Sequence, residues 1–441
     1  MNCMDNFIKK TIKLASTVLI ISFLTSTASA SQLLPPDEAF LKKAEAIGIT
    51  QEHWDSPEFA AVTFPNAYRF TRYYRISCGL LGSGEDVLAP EVWKGDGTSL
   101  DIKKLKGNDA DGPIDLETLL RDRLKNHSMV VLKSDRLLHQ HFWNGLDENS
   151  THLDMSVTKS FTAILAGLAA SEGKLDMTKP IESYLPEFKN TAFEGVPVQD
   201  AADMVSGLDI QTPKFLSWDP RFTQSQEWNG PNDSGLRGIS EYLRTIKNRK
   251  YAIGTHYQYQ DPNTEILGLV TEAAIGQGIH TYLQERIWKR VGMENDAFWM
   301  ADPTGFVVAS GGLNITTRDL ARFGRLMLND GKNYVGEQVV PKAFIDAVWQ
   351  GNDKVRSAWR LGKEAALAPD GWYKDQIRIL DIKGHRIMVF IGIHGQVLVM
   401  EKATGIVIAM NGGYPQTETH RMNAMLFLEV VPAILDASKE M

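Results

Sequence analysis

Two hydrophobic rhythms alternate along this chain, and the changes between them divide it. Phe161, Ile164, Leu165 and Leu168 fall three and four residues apart, which predicts a helix, with Gly173 as its stop. The same spacing predicts helices over residues 116–124, 198–204, 239–246, 264–275 and 279–291. Thr317 reads as the N-cap of another, carrying Leu320, Phe323, Leu326 and Met327. Residues 129–133 and 137–143 are short strand-like runs joined at Ser134-Asp135-Arg136, a β-hairpin pattern. In the C-terminal third, runs over 377–382, 387–393, 397–400 and 406–410 are split by Lys383-Gly384-His385 and Ala403-Thr404-Gly405, which predicts an antiparallel meander. An apolar helix over 423–435 closes the chain.

Strands at both ends with helices between them predict an α+β body carrying a helical insert. The sheet domain is expected over 116–160 and 301–441, and the helical domain over 161–300. Residues 31–115 are loop-rich, with Pro35-Pro36, Pro57, Pro65 and Pro90, and read as an N-terminal extension wrapping the body. The stretch 212–235, with Trp218, Phe222, Trp228 and Pro231, is a long loop, and long loops in compact domains tend to be functional.

The first thirty residues read as a secretory leader. Lys9, Lys10 and Lys13 precede a mostly apolar run over 14–25, and Ala28-Ser29-Ala30 is a small-residue cleavage site. The apolar run is about half the ~20 residues a bilayer span needs, so cleavage after Ala30 and a periplasmic or secreted location are expected, without stable membrane insertion. Cys3 lies before the run and no cysteine follows it, which argues against a lipid anchor. Losing Lys9, Lys10, Lys13 and Asp5 takes the net charge from −7 to −9. A chain this acidic has no electrostatic case for binding nucleic acid or anionic membrane. Only Cys78 would remain, so no intramolecular disulfide can form and the core must suffice, as roughly 410 residues allow. Cys78 has no helical start around it and reads as an idle or buried thiol.

Candidate chemistry centres on Ser156-Val-Thr-Lys159, at the front of the first helical pattern. Residues i and i+3 share a helix face, so the lysine side chain can reach the serine hydroxyl. The helix N-terminus adds free N–H groups and partial positive charge beside it. Both favour a serine nucleophile with a lysine partner. His139 and His141 share one face of a predicted strand, but no third ligand is spaced nearby and no H-E-x-x-H occurs, so neither a metal nor any other cofactor is expected.

Four motifs then come in order: Ser156-Val-Thr-Lys159, Tyr257-Gln-Tyr259-Gln-Asp261, the stretch from Ser310-Gly-Gly to Gly324, and Gly392-Ile-His-Gly-Gln396. Over residues 116–435 the chain resembles the class C β-lactamase and penicillin-binding superfamily, and within it the branch of 6-aminohexanoate-dimer hydrolase and related esterases. The resemblance implies a five-stranded antiparallel sheet flanked by helices, an all-helical second domain and an active site between them. It implies Ser156 as nucleophile, Lys159 as its partner and Tyr259 as the third catalytic group. The backbone N–H groups of Ser156 and Ile393 would form the oxyanion hole, with Asp261, His394, Gly395 and Gln396 on the substrate side.

The departures matter too. Asp261 stands where the superfamily usually has Asn. No Lys-Thr-Gly exists, and Lys402-Ala-Thr-Gly405 sits in a predicted turn. In β-lactamases the Lys-Thr-Gly strand helps hold the substrate carboxylate, so its loss weakens the case for β-lactams and peptidoglycan stems. His394 either substitutes in part or fills a strand face.

A serine hydroxyl needs a base. Lys159 serves if burial and the helix N-terminus lower its pKa by about three units, roughly 4–5 kcal/mol. Alternatively Lys159 stays charged and activates Tyr259 as the base. The sequence leaves both open. The resulting expectation is an exported serine hydrolase of small linear amides or esters. β-Lactamase or D-peptidase activity is second, and a non-catalytic penicillin-sensor-like protein third. No G-x-S-x-G elbow is present, which disfavours an α/β-hydrolase.

Overall fold

The computed structural model describes residues 32–79, 86–213, 218–414 and 419–441. The expected leader lies outside them. In chain order the strands are β1 (Arg72–Ile76), β2 (Lys106–Asp109), β3 (Gly112–Asp115), β4 (Asn126–Lys133), β5 (Arg136–Phe142), β6 (Thr151–Leu153), β7 (Ala297–Ala301), β8 (Leu313–Thr316), β9 (Trp372–Lys374), β10 (Ile377–Ile382), β11 (His385–Gly392), β12 (Gln396–Glu401) and β13 (Ile406–Gly412).

The main sheet runs β5-β4-β13-β12-β11-β10-β9, antiparallel throughout. The expected meander is therefore real, and the first hairpin joins it through β4 beside β13. The sheet has seven strands where the resemblance implied five. The five central ones gain β5, the outer arm of the first hairpin, and the three-residue β9, folded back from β10 by a tight turn.

Both faces of this sheet are covered, so its strands are nearly continuous apolar runs. Side chains of successive residues point to opposite faces and so feed two different cores. Leu398, Met400, Val407 and Ala409 belong to one, together with Leu320 and Phe323 of the helix Thr317–Leu328. Val397, Val399, Ile406 and Ile408 belong to the other, with Leu426, Phe427 and Val430 of the C-terminal helical run. A Cβ on Gly324 would lie 2.6 Å from Val407 Cγ1, so glycine there sets how closely the helix meets the sheet.

Two helix ends differ from expectation. Thr316, not Thr317, caps the helix Thr317–Leu328, because its hydroxyl accepts from the Asp319 N–H while Thr317 donates to Asn411 Oδ1 at 2.7 Å. The C-terminal helix begins at His420, earlier than its apolar pattern indicated, because Thr419 caps it by accepting from the Met422 N–H.

Residues 32–76 contribute more than loop. Asp37 caps the helix Glu38–Glu45, and β1 joins a second sheet of order β1-β7-β8-β6. Trp54 Nε1 donates to the Trp228 carbonyl (2.8 Å), and the Asp55 carboxylate accepts from Trp228 Nε1 and Asn229 Nδ2, both at 2.9 Å. The extension thereby grips the 212–235 stretch, which also carries a short helix, Pro220–Ser225. Among the described residues no helix is long and apolar enough to cross a membrane.

Candidate active site

Strand β6 delivers the chain to a sharp elbow. Met155 sits at φ +47°, a left-handed conformation that costs a non-glycine residue on the order of 1–3 kcal/mol. Asp154 N–H donates to the Leu313 carbonyl (2.9 Å), and the N–H groups of Val157 and Thr158 close back on the carbonyls of Asp154 and Met155. The elbow places Ser156 at the N-cap of the helix Val157–Ser171, where the first backbone N–H groups have no partner within the helix. Gly173 follows the helix end at φ +72°, as its stop role requires.

Three acceptor-bearing groups surround Lys159, which is 1% exposed. Its Nζ lies 2.8 Å from Ser156 Oγ, 2.8 Å from the Ser310 carbonyl and 2.5 Å from Asp261 Oδ1. The Tyr259 ring centroid is 5.1 Å from the same nitrogen. Burial alone would push the lysine pKa down. The Asp261 carboxylate, with help from Tyr259, outweighs burial, and the pKa is raised above its ordinary value. The resting lysine is therefore an ammonium. Of the two alternatives left open by the sequence this is the charged lysine, and the lowered pKa of the other considers burial without the carboxylate.

Tyr259 is braced from its other side. Arg378, 7% exposed, stands 4.7 Å from its ring centroid, and Tyr373 meets it edge-on at 6.1 Å. Arg378 Nη2 donates to Glu364 Oε1 at 3.0 Å, and that same oxygen accepts from the Tyr257 hydroxyl at 2.8 Å.

The Ser310 carbonyl is itself held in place. Glu265, fully buried one turn after Asp261 on the helix Asp261–Ile275, accepts from the N–H groups of Ala309 (3.1 Å) and Ser310 (3.0 Å). Burial raises its carboxyl to a pKa of about 8. Thr158 and Thr162 on the nucleophile helix secure the same loop, the first accepting from Leu313 N–H and the second donating to the Ala309 carbonyl. Sequence reasoning quoted Ser310 within a motif but assigned it no role, and it missed Glu265. The signal was there: Asp261 and Glu265 are four apart and share one helix face.

The end of β11 lies beside the elbow. A Cβ on Gly392 would come within 2.4 Å of the Asp154 carbonyl and 3.0 Å of Met155 Cβ. Ile393, His394 and Gly395 form the turn into β12. His394, at φ +66°, is buried, shares its Nδ1 with the Tyr414 carbonyl (2.9 Å) and stacks edge-on against Phe64 of the extension. Its pKa is lowered by burial. Gly395 abuts the Tyr414 ring. Gln396 is fully buried: its Nε2 donates to the carbonyls of Ile393 and Gly412, and its Oε1 accepts from Asn411 Nδ2 and Gly412 N–H. Those bonds use the whole amide and tie it to the turn. Of the four residues expected on the substrate side, Asp261 is the one whose side chain touches the Ser156 partner and reaches solvent, at 37% exposure.

Behind the elbow, Asn411 Nδ2 donates to Asp154 Oδ1 (2.9 Å), so one amide links the nucleophile loop to the turn through Gln396. Burial raises the Asp154 carboxyl well above the ordinary range. Elsewhere, His139 and His141 hydrogen-bond to each other at 2.9 Å and on to the Leu100 carbonyl and Asn126 Oδ1. Cys78 is half-buried, and burial pushes its thiol up to about 11, which leaves it protonated and unreactive at neutral pH.

A family model described as beta-lactamase matches residues 116–428. The chain belongs to the beta-lactamase family. Like the serine enzymes of this superfamily, it is a serine hydrolase. It is 29% identical over 326 residues to the 6-aminohexanoate-dimer hydrolase of Paenarthrobacter ureafaciens, covering 73% of this chain and 81% of that relative. It is 27% identical over 197 residues to a D-aminopeptidase of Brucella anthropi, covering 41% of this chain and 35% of that one. A Bacillus anthracis structure, provisionally assigned as a 6-aminohexanoate-dimer hydrolase, superposes with a TM-score of 0.74 at 21% identity. That match covers 92% of this chain and 98% of the other, and it shows that the two share a fold.

Proposed function

We propose that this member of the beta-lactamase family is an exported hydrolase of small linear amides or esters, working through an acyl-enzyme on Ser156. The observation that carries this reading is the 2.8 Å contact between Lys159 Nζ and Ser156 Oγ at a helix N-terminus. Oγ attacks the substrate carbonyl carbon, and its proton passes to a base in the Lys159 and Tyr259 pair. The carbon–nitrogen or carbon–oxygen bond breaks, and the departing group takes up that proton. Water then hydrolyses the Ser156 ester and restores the hydroxyl. The N–H groups of Ser156 and Ile393 are assigned as the oxyanion hole, and losing such a donor costs about 3 kcal/mol in the transition state.

Three observations favour linear substrates. No Lys-Thr-Gly is present for a β-lactam carboxylate, and Asp261 adds a negative charge beside the nucleophile's partner. A relative matched over 73% of this chain and 81% of its own length is a 6-aminohexanoate-dimer hydrolase. The deciding experiment compares kcat/KM of the purified mature chain on p-nitrophenyl esters, linear amides of 6-aminohexanoate type and nitrocefin, with Ser156→Ala as control. Ester and linear-amide turnover abolished in Ser156→Ala supports the reading. Faster nitrocefin hydrolysis overturns the substrate assignment, and a single burst without turnover on every substrate overturns the enzyme in favour of a sensor.

A further inference from the structure

We propose that Asp261 sets the pH at which this site works, by holding Lys159 as an ammonium until alkaline conditions free its lone pair. The inference rests on the serine-hydrolase reading above and selects between the two bases that reading leaves open.

The geometry around Lys159 Nζ is the starting point. Two of its partners, the Ser310 carbonyl and the Asp261 carboxylate, can only accept. The hydroxyls of Ser156 and Tyr259 can accept from an ammonium or donate to an amine. An amine would suffice for two acceptors, but a carboxylate at 2.5 Å favours the charged form far more than an amide in the same place would. Lys159 is 1% exposed, so water screens its side of the pair little, while Asp261 at 37% keeps the other side partly solvated. The raised lysine pKa agrees with this arrangement.

Tyr259 adds to this effect, and the remaining charged and titratable groups near Lys159 do not supply it. On the helix that carries Asp261, Glu265 points its oxygens at the N–H groups of Ala309 and Ser310. From β10, Arg378 faces the Tyr259 ring and is paired with Glu364, which also takes the Tyr257 hydroxyl. Tyr373 packs edge-on against Tyr259. Among the described residues, Asp261 is the one carboxylate that forms an ion pair with Lys159. The same carboxylate opposes the field through which an ammonium would act on Tyr259, which favours the deprotonated lysine as proton acceptor. The Ser156 O–H proton moves to the Nζ lone pair as the Oγ–carbon bond forms. The new N–H proton then goes to the leaving atom as its bond to carbon breaks, which returns the amine.

Two readouts on the full mature chain test the proposal. In protein labelled with lysine carrying 13C at Cε, the Lys159 signal, identified by its loss in Lys159→Met, should titrate at least one pH unit lower in Asp261→Asn than in wild type. The acid limb of kcat/KM for p-nitrophenyl acetate should move by a similar amount in the same direction. Asp261→Glu, which keeps the charge, should hold the limb within half a unit of wild type. Glu265 also titrates near pH 8, so Glu265→Gln is the control, and a limb that follows it instead of Asp261→Asn overturns the proposal. So does an unchanged Lys159 titration in Asp261→Asn, or a uniform loss of activity with the limb in place. Full hydrolysis by Ser156→Ala would defeat the serine reading, yet the lysine titration would still decide the role of Asp261.

Discussion

Glu265 accepts the N–H of Ser310 at 3.0 Å, and the carbonyl of that same serine accepts from Lys159 at 2.8 Å. One buried carboxyl thus positions the backbone group that orients the partner of the nucleophile.

That arrangement has a pH signature. The Glu265 pKa is about 8 in the folded protein, against roughly 4.3 in an unfolded chain. Between those values the folded state binds the proton and the unfolded state does not, so this group's contribution to stability falls as pH rises. Thermal unfolding of wild type should therefore lose more Tm between pH 5 and 8 than that of Glu265→Gln. Parallel Tm profiles would show that Glu265 is ionised throughout.

Gly392 tests the contact between β11 and the elbow. A Cβ there would sit 2.4 Å from the Asp154 carbonyl, a backbone atom that cannot swing away. Gly392→Ala should cost roughly 1–3 kcal/mol of stability by overpacking. It should also lower turnover at least tenfold in protein that still folds, because the turn that carries Ile393 must move. Unimpaired kinetics would separate this turn from the chemistry.

Tyr259→Phe removes one hydroxyl from a ring already braced by Arg378 and Tyr373. Steady-state turnover should fall by about 10²-fold, the cost of losing a hydroxyl that positions Lys159, while the denaturant midpoint changes little. Near-normal kcat would take Tyr259 out of the mechanism.

Asn411 bonds Asp154, Gln396 and Thr317 through a single buried amide. Asn411→Leu removes one bond from each of those partners, although Gln396 keeps Gly412 N–H and Thr317 keeps Ser128. It should destabilise the fold by roughly 0.5–1.5 kcal/mol for each bond lost, read as a lower midpoint in urea. A stability equal to wild type would mean that water or a shifted side chain replaces the amide.

Much of this fold is legible in the chain because its strands are long, apolar and punctuated by turns such as Lys383-Gly384. The seventh strand is not, since β9 has three residues and its turn, Asp375-Gln376, carries none of the glycine that usually marks one. Its two left-handed residues are held from outside, Gln376 by the carbonyls of Ala201 and Ala202. At the site, spacing puts Ser156 and Lys159 on one helix face, and the roles of both and of Tyr259 come from resemblance. Spacing puts Glu265 on the helix face of Asp261, but its bonds to the backbone of Ala309 and Ser310 appear only in the fold. The lysine's charge depends on Asp261, 102 residues further along, and only the fold brings the two together.

The most direct test is covalent. Purified protein treated with a fluorophosphonate and digested should carry the adduct on the peptide containing Ser156, with no labelling of Ser156→Ala. A folded wild type that stays unlabelled, or an adduct on another serine, would contradict the account.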